Sequence, residues 1–231
     1  MRNILKKISP LWKLGKYIRD LTKVIPLGFF PIYMSADKSR KFYQFRQWEF
    51  TLFASPSPHF IKQACIKRNA IIGSTFVETG TYYGLTTEYA AKFSNRVISL
   101  EPSESLYKRA KDLFIGLKNI EILKGTSEDI FPKIIPTLSG DITFWLDGHY
   151  SGGITYQSIS DTPIVFELNE IEKYIKNFSC LSIMVDDFRC FNPLISEYKD
   201  YPKKTFLVEW AERNSLFWTV EHDIFIAKNF F

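Results

Sequence analysis

The chain has 231 residues, 45% of them apolar and 24% charged, with a net charge of +5. That balance excludes a disordered polyelectrolyte and leaves room for one medium α/β domain plus an extension. The three cysteines, Cys65, Cys180 and Cys190, show no C-x-x-C spacing, which argues against a disulfide framework and predicts reduced thiols in a cytosolic protein.

The charge is unevenly spread. Residues 1–70 carry 14 Lys/Arg against 3 Asp/Glu, whereas residues 71–231 carry 16 against 22. Basic and apolar residues alternate over 1–23 in an amphipathic pattern, with Ser9 placed to cap a second helical piece and Pro10 at its first position. The apolar run 24–33 is interrupted by Pro26 and Pro31 and falls short of the ~20 residues that span a bilayer. No small-residue cleavage site follows it. The expectation is a cytoplasmic protein with a peripheral contact to the inner membrane face through residues 1–33; a solvated basic helix packed on its own domain fits the same pattern.

Aromatic residues crowd the N-terminal third, ending at Phe53, and the turn cluster Ser55-Pro56-Ser57-Pro58 follows. These features predict a basic, aromatic-rich, helical extension over 1–65 and a second domain over 66–231. In that second part β-branched runs alternate with helical patterns. Strands are predicted at 72–78, 96–101, 120–124, 142–147 and 181–186, and helices at 85–93, 103–117, 127–138 (interrupted by Pro132 and Pro136) and 162–175. A helix at 205–213 precedes two short strands, 217–220 and 224–227, at hairpin spacing around Glu221-His222-Asp223. The predicted fold is a Rossmann-like open sheet, mostly parallel with an antiparallel last strand, and helices on both faces.

In such a sheet ligands bind beyond the carboxyl ends of the strands, and each predicted strand ends in polar residues. The first runs into Glu78-Thr79-Gly80-Thr81-Tyr82-Tyr83-Gly84, and the second ends at Glu101, 23 residues beyond Glu78, where a carboxylate can accept both hydroxyls of a ribose. The third runs into Gly125-Thr126-Ser127-Glu128-Asp129, the fourth into Asp147-Gly148-His149, and the fifth into Asp186-Asp187. A nicotinamide dinucleotide prefers G-x-G-x-x-G, but Tyr82 occupies the middle glycine's place and an acid precedes the turn. Glu78 would repel a pyrophosphate and help hold an ammonium. The pattern points to a ligand that carries an amino acid and a ribose, as S-adenosylmethionine does.

Residues 72–187 resemble the class I S-adenosylmethionine-dependent methyltransferases. The segment Gly125–Pro132 followed by Phe144-Trp145-Leu146-Asp147 resembles the catechol O-methyltransferases, while the Glu78–Thr87 loop and Asp147-Gly148-His149-Tyr150-Ser151-Gly152-Gly153 resemble macrocin-type sugar O-methyltransferases. The resemblance assigns Glu78, Gly80 and Gly84 to the methionine part of the cofactor, with Thr79, Thr81 and Thr86 as further contacts of that loop. It assigns Glu101 to the ribose, Ser127 and Glu128 to the adenine edge, and Asp147 to the same crevice. A tight strand–helix turn also accounts for Gly80 and Gly84, and a helix N-cap for Ser127.

The metal-dependent members hold a magnesium ion on an aspartate after strand four and an Asp-Asn pair after strand five. The resemblance implies Mg²⁺ on Asp147, Asp186 and Asp187, with Asp187 in place of Asn; three hard carboxylates suit that ion. Asp187 as a cap on the following segment, with only Asp147 and Asp186 facing the site, is the alternative. Where the catechol enzymes place a lysine this chain has Tyr150, and His149 is the better proton acceptor near neutral pH, so the catalytic candidates are Asp147, His149 and Tyr150. The 151–160 segment is placed to act as a lid over the acceptor.

The expected activity is methyl transfer to a hydroxyl, that of a sugar or polyol in glycan or secondary-metabolite synthesis, by an enzyme that can form a homo-oligomer. Two alternatives stand beside it: an RNA-binding protein or RNA methyltransferase using the basic N-terminal third, and a catalytically silent methyltransferase fold. The first is disfavoured because residues 42–53 are more continuously apolar than a solvated nucleic-acid arm.

Overall fold

The computed structural model describes residues 36–148 and 162–230. The chain forms two compact units, Met1–Ala54 and Ser55–Phe231. In the first, helix α1 (Ala36–Phe50) starts with Asp37 in its first turn, where a carboxylate suits the helix dipole and pairs with Arg40 and Lys41. The chain then reverses. Leu52 and Phe53 take left-handed backbone conformations, the Trp48 indole donates to the Ala54 carbonyl at 2.8 Å, and the Phe53 ring packs edge-on against Trp48.

The second unit begins with helix α2 (His59–Asn69), which spans the boundary expected at 65/66. A seven-stranded sheet follows, in the order β3-β2-β1-β4-β5-β7-β6. Strands β1 (Thr75–Thr79), β2 (Arg96–Glu101), β3 (Ile120–Lys124), β4 (Gly140–Leu146) and β5 (Phe178–Val185) pair in parallel. Helices α3 (Leu85–Ala90), α4 (Glu104–Leu113), α5 (Ser127–Ile134) and α6 (Ile164–Tyr174) connect them, and α7 (Lys204–Arg213) leads to the hairpin β6 (Phe217–Glu221) and β7 (Ile224–Lys228). Strand β7 runs antiparallel to both β5 and β6. This is the mostly parallel Rossmann-like sheet with an antiparallel last strand that the sequence predicts.

Both sheet faces are covered, so neighbouring residues on a strand belong to different cores. Val77, Phe144, Ile183 and Phe225 join Phe131 of α5, Leu168 of α6 and Trp210 of α7 on one face. Phe76, Trp145, Met184 and Ile226 join Cys65 and Ile66 of α2 and Ala90 of α3 on the other.

Element ends differ from the sequence pattern where a glycine or proline intervenes. Strand β1 begins at Thr75 rather than 72, because Gly73, at φ +82°, turns the chain and leaves Ile72 exposed. Helix α4 stops at Leu113, short of the turn at Gly116 with φ +88°. Helix α5 passes into a 3₁₀ turn at Ile135–Thr137, where Pro136 withholds a backbone donor.

Candidate active site

Strand order places a topological switch beside β1: the chain leaves β1 for β2 on one side and returns to β4 on the other. Register aligns the carboxyl ends, pairing Thr79 with Leu100 and Leu146, Glu101 with Lys124, and Leu146 with Val185. Glu78, Glu101, Ser127, Asp147 and Asp186 are therefore gathered on one edge.

The loop after β1 is locked to β2. Gly80 and Thr81 both donate backbone N–H groups to the Leu100 carbonyl at 3.0 Å, and the Thr81 and Ser99 hydroxyls are 2.6 Å apart. Gly80 has φ +86°, and a Cβ on it would lie 2.7 Å from the Asp147 carbonyl oxygen. Gly84, at φ +76°, precedes α3 and would drive a Cβ to 2.7 Å from the Phe114 ring. Neither position accepts a side chain without movement. Thr86, on the first turn of α3, is buried.

Glu101 is 3% exposed and held at both oxygens: Oε2 accepts the Tyr82 N–H at 2.8 Å and Oε1 the Ser103 N–H at 2.9 Å. Burial raises its pKa and the two amides pull it back. One carboxylate thus ties the glycine loop to the start of α4. Glu78 lies deeper. Its Oε2 accepts hydroxyl hydrogens from Ser99, at 2.6 Å, and from Thr87, and burial pushes its pKa up to about 8 despite them. At neutral pH this carboxyl is therefore largely protonated, and the full negative charge expected to meet an ammonium forms only when a cation draws the proton off.

Beyond β3 the cap of α5 is Thr126, whose hydroxyl accepts the Asp129 N–H at 3.3 Å. This corrects the capping role considered for Ser127. Ser127 is buried at the first helical position and its hydroxyl donates to the half-buried Glu128 at 3.3 Å.

Sequence reasoning missed Glu167, which α6 brings to this edge. Ile164, Glu167, Leu168 and Ile171 form the buried stripe of that helix, so the acid enters with the apolar residues. A carboxylate on an apolar helical stripe is a signal the sequence offers. Glu167 is 1% exposed, its Oε1 has no hydrogen-bond partner among the described residues, and burial raises its pKa to about 7 against the lowering effect of the Ser127 and Thr79 hydroxyls. It lines a narrow cleft with Gly148, Thr162 and Asp186. Gly148 keeps that cleft open, since a Cβ there would stand 3.1 Å from the Thr79 hydroxyl and 3.4 Å from Glu167 Oε1.

Asp147 is half-buried and its N–H reaches the Thr79 carbonyl at 3.3 Å and hydroxyl at 3.2 Å. Asp186 and Asp187 follow β5, Asp187 with left-handed backbone at φ 53°. Their carboxylates are held by cations of the protein. Lys62 Nζ of α2 lies 2.6 Å from Asp186 Oδ2 and 3.2 Å from Asp187 Oδ1, and Arg189 donates to Asp187 at 2.6 Å and also to Asp223. Burial and the Asp147 charge raise the Asp186 pKa to about 7, with Lys62 opposing them. Burial would lower the pKa of Lys62, but Asp186, Asp187 and Asp147 outweigh it and keep the ammonium charged.

Among the described residues, no group of three or more His, Cys, Asp or Glu side chains is arranged to hold a metal ion. The magnesium set expected on Asp147, Asp186 and Asp187 meets an ammonium instead: Lys62 stands against Asp186 and Asp187 where a divalent ion would need their oxygens, and the Arg189 guanidinium shares Asp187 Oδ1 with it. The three aspartates with Lys62 in place do not fit Mg²⁺. His149, Tyr150 and the 151–160 segment lie outside the described residues, as do residues 1–33. Among the described residues no helix is long and apolar enough to cross a membrane.

No protein-family model matches the chain, and no curated protein matches it. Solved structures do. The O-methyltransferase from Bacillus cereus, in complex with SAH, aligns over 87% of this chain and 94% of its own at 15% identity, with a TM-score of 0.50. The N-methyltransferase NodS from Bradyrhizobium japonicum aligns over 72% and 92% at 14% identity, with a TM-score of 0.48. The first of these likenesses is one of fold: the chain shares the Rossmann-like architecture of that Bacillus cereus protein.

Proposed function

We propose that the chain is an S-adenosylmethionine-dependent methyltransferase that acts on a hydroxyl, that of a sugar or related polyol. One observation carries the cofactor assignment: Glu101 is clamped between the Tyr82 and Ser103 amides beside the turn that Gly80 and Gly84 make, at the switch point of the sheet. Each Glu101 oxygen keeps a lone pair for a ribose hydroxyl after accepting its amide. The Gly80 and Gly84 backbone leaves room for an aminoacyl chain, and Glu78, Glu101 and Asp147 form an acidic surround for its ammonium. Residues that suit a diol and an ammonium, next to a turn that lacks the pyrophosphate spacing, favour this cofactor over a dinucleotide.

When bound, S-adenosylmethionine supplies an electrophilic methyl group. The chain's own work is alignment, exclusion of water and removal of the acceptor's proton. Gly148 leaves the acceptor cleft open between β4 and β5, and Asp186 and Glu167 supply its polar wall. Two groups suit the proton. His149 was singled out from its position after β4, and Glu167 has an uncommitted Oε1 and a pKa near neutrality. Oxygen as the acceptor is favoured by the lack of an Asp/Asn-Pro-Pro-Tyr motif after β4. Peripheral membrane contact through residues 1–33 and self-association belong to the same proposal, supported by the basic amphipathic pattern there.

The decisive measurement is calorimetric titration with S-adenosylhomocysteine. Micromolar binding by the wild type is expected, weakened at least ~10-fold by Glu101→Ala as two charge-assisted hydrogen bonds to the ribose are lost. Absence of binding by a folded wild type would overturn the reading. Transfer of labelled methyl to polyol acceptors in alkali-stable form would identify an ether product.

A further inference from the structure

The cation against the carboxylates after β5 belongs to the protein itself. Helix α2 buries Cys65, Ile66 and Asn69, and Lys62, one turn earlier on that side, is carried inward with them. Its side chain is 14% exposed, and its Nζ bridges Asp186 Oδ2 at 2.6 Å and Asp187 Oδ1 at 3.2 Å while the Asp147 charge also acts on it. Asn69, farther along the helix, is fixed by a bond from its side chain to the Cys65 carbonyl and accepts Ser182 of β5 at its own carbonyl, so the helix bearing Lys62 is pinned to the strand that ends in Asp186. Arg189 donates to the same Asp187 Oδ1 that Lys62 reaches and is itself tied to Asp223 in the β6–β7 turn.

A divalent ion at this place would meet an ammonium at contact distance, a repulsion that no solvent screens well at this depth. An ammonium nonetheless offers much of what an ion offers there. It neutralises the aspartates, it is fixed in space by bonds to Asp186 and Asp187, and it stands against Asp186, which lines the cleft. We propose that Lys62 is the resident cation of the acceptor site, taking the place of a divalent metal between Asp147, Asp186 and Asp187 and positioning the acceptor oxygen, so that this chain works without a metal. The purpose assigned to the cleft rests on the methyltransferase reading; the exclusion of metal by Lys62 stands apart from it.

The test is Mn²⁺ binding to the full chain, followed by electron paramagnetic resonance. The wild type is expected to bind no Mn²⁺ at a stoichiometric site up to about 1 mM, the range of weak oxygen-ligand sites. Lys62→Met and Lys62→Gln, checked for folding by circular dichroism, are expected to gain Mn²⁺ affinity by at least ~10-fold, because the aspartates lose their neutralising charge. Stoichiometric binding by the wild type overturns the proposal even if neither variant folds. So does a folded variant whose Mn²⁺ affinity is unchanged. Titration with S-adenosylhomocysteine in the presence and absence of EDTA separates the two claims: no binding in either condition removes the methyltransferase reading, while the Mn²⁺ comparison still decides on Lys62.

Discussion

Gly80 shows how closely a single residue can be specified by its surroundings. Its left-handed backbone costs any other residue about 1–3 kcal/mol, and a Cβ 2.7 Å from the Asp147 carbonyl would add a displacement of β4's end. Gly80→Ala is expected to lower the unfolding free energy measured in urea by that amount or more and to abolish S-adenosylhomocysteine binding; unchanged binding would mean the turn does not face the ligand. Glu78 gives a pH signature. Its folded pKa of about 8 lies above the ordinary 4.5, so the stability tied to its protonated form is full below about 4.5 and is lost as pH rises through 8. Glu167, raised to about 7, acts in the same direction. Glu78→Gln should flatten the decline in stability between pH 5 and pH 8.5 measured by chemical denaturation, and curves that fall in parallel would show that Glu78 is ionised in the fold. Glu101 was readable in the sequence because distance from the first strand and a terminal position fix its role. Lys62 and Glu167 were not, because a charge on an amphipathic helix ordinarily faces water; their inward aim depends on which turn of the helix meets the sheet.

Elements were the most legible level. Strands 96–101 and 120–124 are found at those limits, the first buried along nearly its whole length and the second an edge strand that buries Ile122. The hairpin at Glu221–Asp223 is likewise present, with His222 and Asp223 both at positive φ as a tight turn demands. Errors lie at ends, where one glycine or one capping hydroxyl decides. Thr126 rather than Ser127 caps α5, a choice set by which hydroxyl reaches the Asp129 amide. Thr126→Ala should therefore cost about 1 kcal/mol in denaturation experiments, the ordinary value of a lost cap, and a negligible change would return the cap to Ser127. Packing effects are larger. Trp210 on α7 has no exposed surface and fills the core with Phe131 and Phe144. Trp210→Ala is expected to cost about 3–5 kcal/mol, read as a fall in melting temperature.

On the scale of the molecule, strand order was not written in any local pattern, since hydrogen bonding between β1 and β4 joins segments 67 residues apart, as in the Thr75–Ile142 pairing. The acidic balance of residues 71–231 resides with the sheet and every described candidate residue, all within Ser55–Phe231. A chain of residues 55–231 is accordingly expected to fold and to bind S-adenosylhomocysteine within ~3-fold of the full chain; loss of binding would place a ligand contact before residue 55.

The position of β7 has a consequence for biosynthesis. This strand lies between β5 and β6 although it follows both in the chain, and its turn supplies Asp223, which accepts the Arg189 amide and guanidinium and whose carbonyl takes the Phe188 amide. While the ribosome is still making residues 224–228, β5 has an open edge and Arg189 lacks its outer anchor. The nascent chain can complete its donor-side turn early, but its acceptor side must wait for β7, the seventh strand of the sheet, to emerge.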